Sequence, residues 1–113
     1  MRTIIAGSRD ISTYELVSQA VDESYFHISE IISGGARGVD SLAIEYAKKN
    51  NIPYKIMNAN WDKYGKSAGY KRNVEMALVA DALIAIWDKK SSGTKHMIDI
   101  MDKMKKPYYI LEV

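Results

Sequence analysis

The sequence predicts a three-layer α/β fold, with a parallel sheet of about five strands and helices on both faces. Apolar runs typical of strands alternate with segments in which apolar residues recur every three or four positions. This alternation favours right-handed β-α-β units. The runs at residues 31–32 and 83–86 are almost continuously apolar, as expected where helices cover both faces of a sheet. We expect one domain over residues 1–113, because 47% hydrophobic and 27% charged residues are ordinary for a globular chain of this length.

The first half of the chain predicts three strands and two helices. The strands are expected at residues 3–6, 28–32 and 54–57. Ser12 or Thr13 is expected to cap a helix that runs to about Tyr25. The second helix has its apolar face between Val39 and Ala47 and ends near residues 50–51.

The second half predicts two helices and two strands after a polar, aromatic segment at residues 58–69. That segment has no clear element and is long for a compact domain, so a functional loop is predicted there. A helix at 68–79 is expected to turn Val74, Ala77 and Leu78 inward, and strands follow at 82–87 and 107–111. In the last helix, the methionines predict either core filling or part of a seam in a homo-oligomer: Met97, Met101 and Met104.

Three loops are predicted to meet at one edge of the sheet, where ligands bind in open α/β folds. They are residues 7–10 after the first strand, 34–40 after the second and 87–94 after the fourth. Each leads into a helix N-terminus, where free N–H groups favour an anion. Glycines allow close approach of a ligand to the backbone. The loops also supply hydroxyl groups and two guanidinium groups: Ser8, Ser33, Ser91, Ser92, Thr94, Arg9 and Arg37.

Each loop alone also fits a tight turn, a surface ion pair or a helix cap; it is their combination that favours a ligand site. Neither the G-x-G-x-x-G pattern nor a Walker A motif is present. The segment WDKYGKSAGYKRN adds Trp61 and Tyr64, which suit stacking on a base, and the positive charges of Lys66, Lys71 and Arg72. The alternative for this segment is a surface loop whose aromatic side chains pack on the domain.

Composition argues against several classes of function. There is no cysteine, and His27 and His96 are not at metal-ligand spacing, so we expect no metal and no cofactor. A net charge of +2 argues against a nucleic-acid partner. No apolar run reaches the length of a membrane span, and Met1 directly precedes a strand-like run, so we expect a cytoplasmic protein.

Four segments in order, AGSRD, SGGARGVDSLA, AGYKRNVEMALVADALIAIWD and SSGT, resemble the SLOG superfamily and, within it, the small YspA-like family. The superfamily is named after the Smf/DprA DNA-processing proteins and the LOG phosphoribohydrolases. The resemblance implies a Rossmann-like sheet with a nucleotide-type ligand over the glycine loops. Together with the loop chemistry it gives a predicted ligand site: Gly7, Ser8, Arg9, Ser33, Gly34, Gly35, Arg37, Gly38, Asp40, Trp61, Arg72, Asn73, Ser91, Gly93 and Thr94.

One departure from the LOG pattern bears on catalysis. LOG-type enzymes cleave the N-glycosidic bond of a nucleoside monophosphate and carry the motif P-G-G-x-G-T-x-x-E. Aligned on Gly93 and Thr94, this chain has Met97 at the glutamate position. A thioether can neither transfer a proton nor stabilise an oxocarbenium ion as a carboxylate does.

The sequence therefore predicts a binding module that senses or sequesters a nucleotide or a nucleotide-derived molecule such as ADP-ribose. The first alternative is an N-glycosidic hydrolase that uses Asp40 or Asp88 as its acid. The second is a DprA-like DNA-binding protein, which would need oligomerisation to align the basic residues Lys63, Lys66, Lys71 and Arg72.

Overall fold

A computed structural model describes all residues, 1–113. Its five strands form one parallel sheet in the order β3-β2-β1-β4-β5. The strands are β1 Arg2–Gly7, β2 Glu30–Ser33, β3 Tyr54–Ile56, β4 Ala82–Trp87 and β5 Tyr108–Glu112. The helices are α1 Glu15–Ser24, α2 Val39–Lys49, α3 Trp61–Tyr64, α4 Ala68–Val79 and α5 Ser92–Lys103. The predicted α/β architecture is confirmed.

The core has two halves, one on each face of the sheet. Ile4 packs with α4 and α5 on one face, whereas its neighbour Ile5 packs with α1 and α2 on the other. This follows from the two-residue period of a strand. Both side chains are fully buried. The sheet is therefore covered on both sides, and its ligand-binding possibilities are confined to its edges and ends.

The strand order places a topological switch point between β1 and β4. From β1 the chain adds β2 and β3 on one side, and then returns to place β4 on the other side of β1. The loops that leave β1 and β4 therefore diverge and open a crevice at the carboxyl ends of these strands.

Two of the local predictions are wrong. Neither Ser12 nor Thr13 caps α1, which begins after Tyr14 without a side-chain cap; the Thr13 main-chain carbonyl accepts the Leu16 N–H instead. The segment at 58–69 is not a plain loop. It contains α3, capped by the Asn60 side chain, which accepts the Lys63 N–H at 3.1 Å, and a 3-10 turn at Gly65–Ser67.

The inward face of α4 also differs from the prediction. Val74 and Leu78 are 40% and 64% exposed, whereas Ala77 is buried as expected. The helix instead turns Asn73 and Met76 inward, because its buried side packs against α5 and the sheet. In α5, Met97 and Met101 are buried in the core, so they fill it and are not available for a seam between copies.

Candidate functional site

A cavity of about 580 Å³ lies at the switch point, over the carboxyl ends of β1 and β4. This volume is within the range of small-molecule sites. Eleven of the fifteen predicted ligand-site residues line it: Gly7, Ser8, Arg9, Arg37, Asp40, Trp61, Arg72, Asn73, Ser91, Gly93 and Thr94. Residues from three loops and from α3 and α4 thus converge on one space.

The other four predicted residues shape the β2–α2 junction (residues 33–40) and do not line the cavity. The Ser33 hydroxyl donates to the Asp40 main-chain carbonyl at 2.9 Å and accepts the Gly35 N–H at 3.2 Å, so its bonds are used within the junction. Gly38 has φ +76°, and a β-carbon there would lie 2.4 Å from the main-chain oxygen of Ser8. Gly34 faces Arg72, and Gly35 faces Ile56 and Asn58.

Arg72 fastens this junction to α4. Its Nη1 donates to the carbonyl oxygen of Gly34 at 2.7 Å, and its Nε donates to Asn73 Oδ1 at 3.2 Å. A β-carbon on Gly34 would lie 2.5 Å from Arg72 Nη1, so this close approach depends on the glycine. Arg72 thus holds the loop in place while part of its surface lines the cavity.

Asp40 is the most buried charged group of the site, with 7% of its surface exposed. Its Oδ2 accepts the Ala36 N–H at 3.2 Å. Burial raises the pKa of the Asp40 carboxyl to about 6, although the Ala36 N–H and the positive charges of Arg72 and Arg9 oppose the rise. Asp40 therefore exchanges its proton near neutral pH.

The β4–α5 junction (residues 88–94) is more open. Asp88 Oδ1 accepts the N–H groups of Lys90 at 2.8 Å and Ser91 at 2.9 Å. The Ser91 and Lys90 N–H groups lower the pKa of the Asp88 carboxyl, so it is ionised at neutral pH. Ser91 caps α5 through its Oγ, which accepts the Thr94 N–H at 3.4 Å and the Thr94 hydroxyl at 3.0 Å. The cap that the sequence suggests here is present.

Two N–H groups at the start of α5, those of Ser92 and Gly93, have no acceptor in the protein. Both residues line the cavity. Asn73 connects this helix start to α4, because its Nδ2 donates to the Gly93 carbonyl at 3.2 Å and lies 3.2 Å from His96 Nδ1. The first turn of α5 therefore offers free donors at a fixed position.

One wall of the cavity is aromatic. Trp61, from the short helix α3, is half exposed, and the Arg9 guanidinium carbon lies 5.9 Å from its ring centroid. Gly69 lies beside this ring, and a β-carbon there would make an ordinary contact with Trp61 at 3.4 Å. Tyr70 continues the wall and packs edge-on against His96. Tyr64, the other predicted stacking residue, does not line the cavity.

The charges around the cavity are mixed, with an excess of cations. Five basic residues and three acidic residues line it: Arg9, Arg37, Lys66, Arg72 and Lys90, against Asp10, Asp40 and Asp88. Arg37 points outward and pairs with Asp10 at 3.6 Å, with both side chains more than three-quarters exposed. Cavity electrostatics thus favour an anionic ligand without forming a uniformly basic surface.

Sequence reasoning missed part of the lining. Met76 is almost fully buried and lines the cavity, and Ala36 and Lys90 complete the loop walls. The position of Met76 could have been predicted from the sequence, because it lies one helical turn after Arg72 and so shares its side of α4. Met97, which aligns in sequence with the LOG glutamate, also lines the cavity.

No group of three or more histidine, cysteine or acidic side chains is placed to hold a metal ion. None of the helices combines the length and the apolar character that a membrane span requires.

Three comparisons with known proteins each found a match. Residues 1–64 match the model of the YspA, cpYpsA-related SLOG family. The Gene 61 protein of Mycobacterium phage D29 is 32% identical over an alignment of 105 residues, and the match covers 84% of this chain and 83% of the phage protein. The X-ray structure of DNA processing protein A (DprA) from Streptococcus pneumoniae superposes with a TM-score of 0.77 at 16% identity. That match covers 96% of this chain but only 49% of DprA, and it concerns the fold alone.

Proposed function

The chain belongs to the YspA, cpYpsA-related SLOG family, and we propose that it binds a nucleotide or a nucleotide-derived molecule, such as ADP-ribose, in the cavity at the switch point. The observation that carries the proposal is the convergence of three loops on one cavity of about 580 Å³. That cavity has free main-chain donors at one side and an aromatic wall at another. A nucleotide has matching parts: an anionic phosphate and a flat base.

The phosphate is assigned to the start of α5. The N–H groups of Ser92 and Gly93 have no protein acceptor and stand at the positive end of a twelve-residue helix. Nothing lies within 4 Å of the position that a β-carbon on Gly93 would occupy, so an anion can approach the backbone there. Lys90 and Arg9 add positive charge around the same cavity.

The base is assigned to the aromatic wall. Trp61 presents a half-exposed ring beside the cavity. Stacking on an aromatic side chain contributes about 1–3 kcal/mol per base and tolerates different bases. This supports recognition of a nucleotide through its shape and charge.

Binding without LOG-type turnover is favoured by the chemistry at Met97. The residue is 1% exposed, lines the cavity and aligns in sequence with the LOG glutamate. Losing a positioned acid or base commonly reduces a rate by about two to four orders of magnitude. A protein that holds its ligand and leaves it intact acts as a sensor or a store for that ligand.

The test of this proposal combines native mass spectrometry of the purified protein with calorimetric titration of AMP, ADP and ADP-ribose. We expect a retained nucleotide-type compound or binding of at least one of the three. Gly93→Asp should weaken that binding roughly tenfold or more, because it places a carboxylate where the phosphate is assigned. Gly93→Ala separates the effect of added volume from that of added charge, and should weaken binding clearly less than Gly93→Asp does.

The proposal fails if none of these compounds binds, or if Gly93→Asp and Gly93→Ala bind equally well. Tight binding of single-stranded DNA at about 150 mM salt, with no nucleotide affinity, would instead favour a nucleic-acid function. A protein that neutralised several phosphates would show a steep dependence of that affinity on salt.

A hydrolase of the N-glycosidic bond is the second candidate, and one observation favours it. Asp40 and Asp88 line the same cavity with pKa values displaced in opposite directions, upward for Asp40 and downward for Asp88. A carboxyl group with a raised pKa and an ionised carboxylate are the pair that glycoside hydrolysis uses. Chromatography of AMP after incubation tests this candidate: free adenine released on the order of once per second, and abolished by Asp40→Asn, would establish it.

A further inference from the structure

The side chain of Asp40 is held in a fixed orientation beside the cavity. Its main-chain carbonyl accepts the Ser33 hydroxyl at 2.9 Å, and its Oδ2 accepts the Ala36 N–H at 3.2 Å. The residue is 7% exposed, and it is one of the residues that line the cavity. Its second carboxylate oxygen, Oδ1, accepts no hydrogen bond from the protein.

No cation pairs directly with this carboxylate. No ion pair within 4.0 Å reaches Asp40. Arg72 directs its Nη1 to the Gly34 carbonyl, and Arg9 lies over the ring of Trp61. The structure leaves no buried side-chain oxygen without a partner, so Oδ1 is open to the cavity, where water or a ligand hydroxyl can donate to it.

We propose that Asp40 accepts a hydrogen bond from a sugar hydroxyl of the bound nucleotide, so that the site selects a ribose over a deoxyribose. A phosphate is disfavoured at this position, because its charge would repel that of the carboxylate. A ribose hydroxyl is neutral and donates one hydrogen bond, which the unused oxygen can accept. The inference rests on the proposed nucleotide-binding function. It identifies the sugar as the part of the ligand that Asp40 contacts.

The assignment is consistent with the arrangement of the rest of the cavity. Free N–H groups at Ser92 and Gly93 suit the phosphate, and the ring of Trp61 suits the base. In a nucleotide the sugar lies between these two groups. Asp40 enters the cavity from a third element, the first turn of α2.

The experiment compares AMP and ADP-ribose with their 2′-deoxy and 3′-deoxy analogues by calorimetry at pH 8. A hydrogen bond to a charged acceptor corresponds to roughly a tenfold to hundredfold difference in affinity. We expect at least one deoxy analogue to bind the native protein at least about tenfold more weakly than its parent. In Asp40→Asn the same ratio should fall to about threefold or less, because an amide NH2 group replaces the free oxygen.

The matched control is Asp99→Asn, the same carboxylate-to-amide change on the exposed side of α5, where Asp99 pairs with Lys95 at 2.9 Å. It should preserve the native ratio. Equal binding of ribose and deoxyribose forms by the native protein would overturn this inference and leave the proposed function intact. Absence of binding by every compound would overturn the proposed function itself. The native comparison decides the matter even if Asp40→Asn fails to fold.

Discussion

The two junctions that bound the cavity differ in how their polar groups are used. In the β2–α2 junction, the hydroxyl of Ser33, the Oδ2 of Asp40 and the guanidinium of Arg72 are all bonded within the protein. In the β4–α5 junction, Asp88 and Ser91 form the turn and the cap, and the Ser92 and Gly93 N–H groups remain free. Both junctions contain glycine and serine at a strand-to-helix turn.

The comparison of the two junctions shows that their glycines have different physical roles. Gly38 lies where only glycine fits, against the backbone of Ser8, and the loop around it is packed. Gly93 lies in open space with nothing near its missing side chain. The first junction is a rigid support that carries one buried charge, whereas the second is an open surface of main-chain donors. Glycine-to-alanine substitutions in the two junctions should therefore differ in their effect on the free energy of unfolding.

The largest effect is expected for Gly38→Ala. Its φ of +76° and ψ of −135° belong to a region that side chains other than glycine avoid, and its β-carbon would meet the Ser8 main-chain oxygen at 2.4 Å. We expect the free energy of unfolding to fall by about 3 kcal/mol or more. Gly93→Ala should change it by less than about 1 kcal/mol, because helix propensity alone favours alanine. Urea denaturation of both variants measures the difference, and equal losses would refute the distinction between the junctions.

The next effect concerns the two carboxylates, which should respond to pH in opposite directions. The folded-state pKa of Asp40 is raised to about 6 from an ordinary 3.8, so ionisation disfavours the folded state. The penalty is absent below about pH 4 and complete above about pH 6, where two pKa units correspond to about 3 kcal/mol. Asp40→Asn should therefore match the native free energy of unfolding near pH 4 and exceed it near pH 7 by up to about 3 kcal/mol.

Asp88→Asn provides the reverse case. The folded-state pKa of Asp88 is lowered by the Ser91 and Lys90 N–H groups, so its charge stabilises the fold above its unfolded pKa. That contribution is lost as the pH falls through the lowered value. Asp88→Asn should thus be less stable than the native protein at pH 7 and approach it in acid. Denaturation curves across pH 3–8 for both variants would contradict the comparison if the two differences had the same sign.

Sequence patterns predicted the layers of this molecule better than its details. The alternation of strands and helices is enough to bring the three loops to one edge, because parallel strands all end on the same side. The bounds of α4, Ala68–Val79, also follow from the pattern. Its inward face does not, because Asn73 is turned inward by its bond to the Gly93 carbonyl, which the apolar pattern around Val74 and Leu78 conceals.

The candidate site likewise has residues that could be predicted from the sequence and features that could not. Residue types and spacing place Gly93, Thr94 and Arg9 at the cavity, because loop positions follow from topology. The burial of Asp40 depends on how residues 33–40 fold back on themselves, and the helix α3 that presents Trp61 has only four residues. A helix so short has too few positions for a periodic apolar signal. The burial of Asp40 and the position of Trp61 both depend on tertiary packing, which cannot be derived from single residues or from their spacing.

The smallest effect is expected for Arg37→Ala, and it tests how far the rigid junction extends. Arg37 belongs to the β2–α2 junction, yet its side chain is 77% exposed and its pair with Asp10 is 3.6 Å long. Exposed pairs of this kind contribute about 0–1 kcal/mol, so the free energy of unfolding should change by less than about 0.5 kcal/mol. Its charge still lies at the edge of the cavity, so the affinity for AMP should fall about twofold to threefold at low salt and less at 0.5 M salt, where screening shortens its reach. A loss of tenfold or more that persists at high salt would mean that Arg37 contacts the phosphate directly, and that the boundary between support and binding surface runs inside this junction.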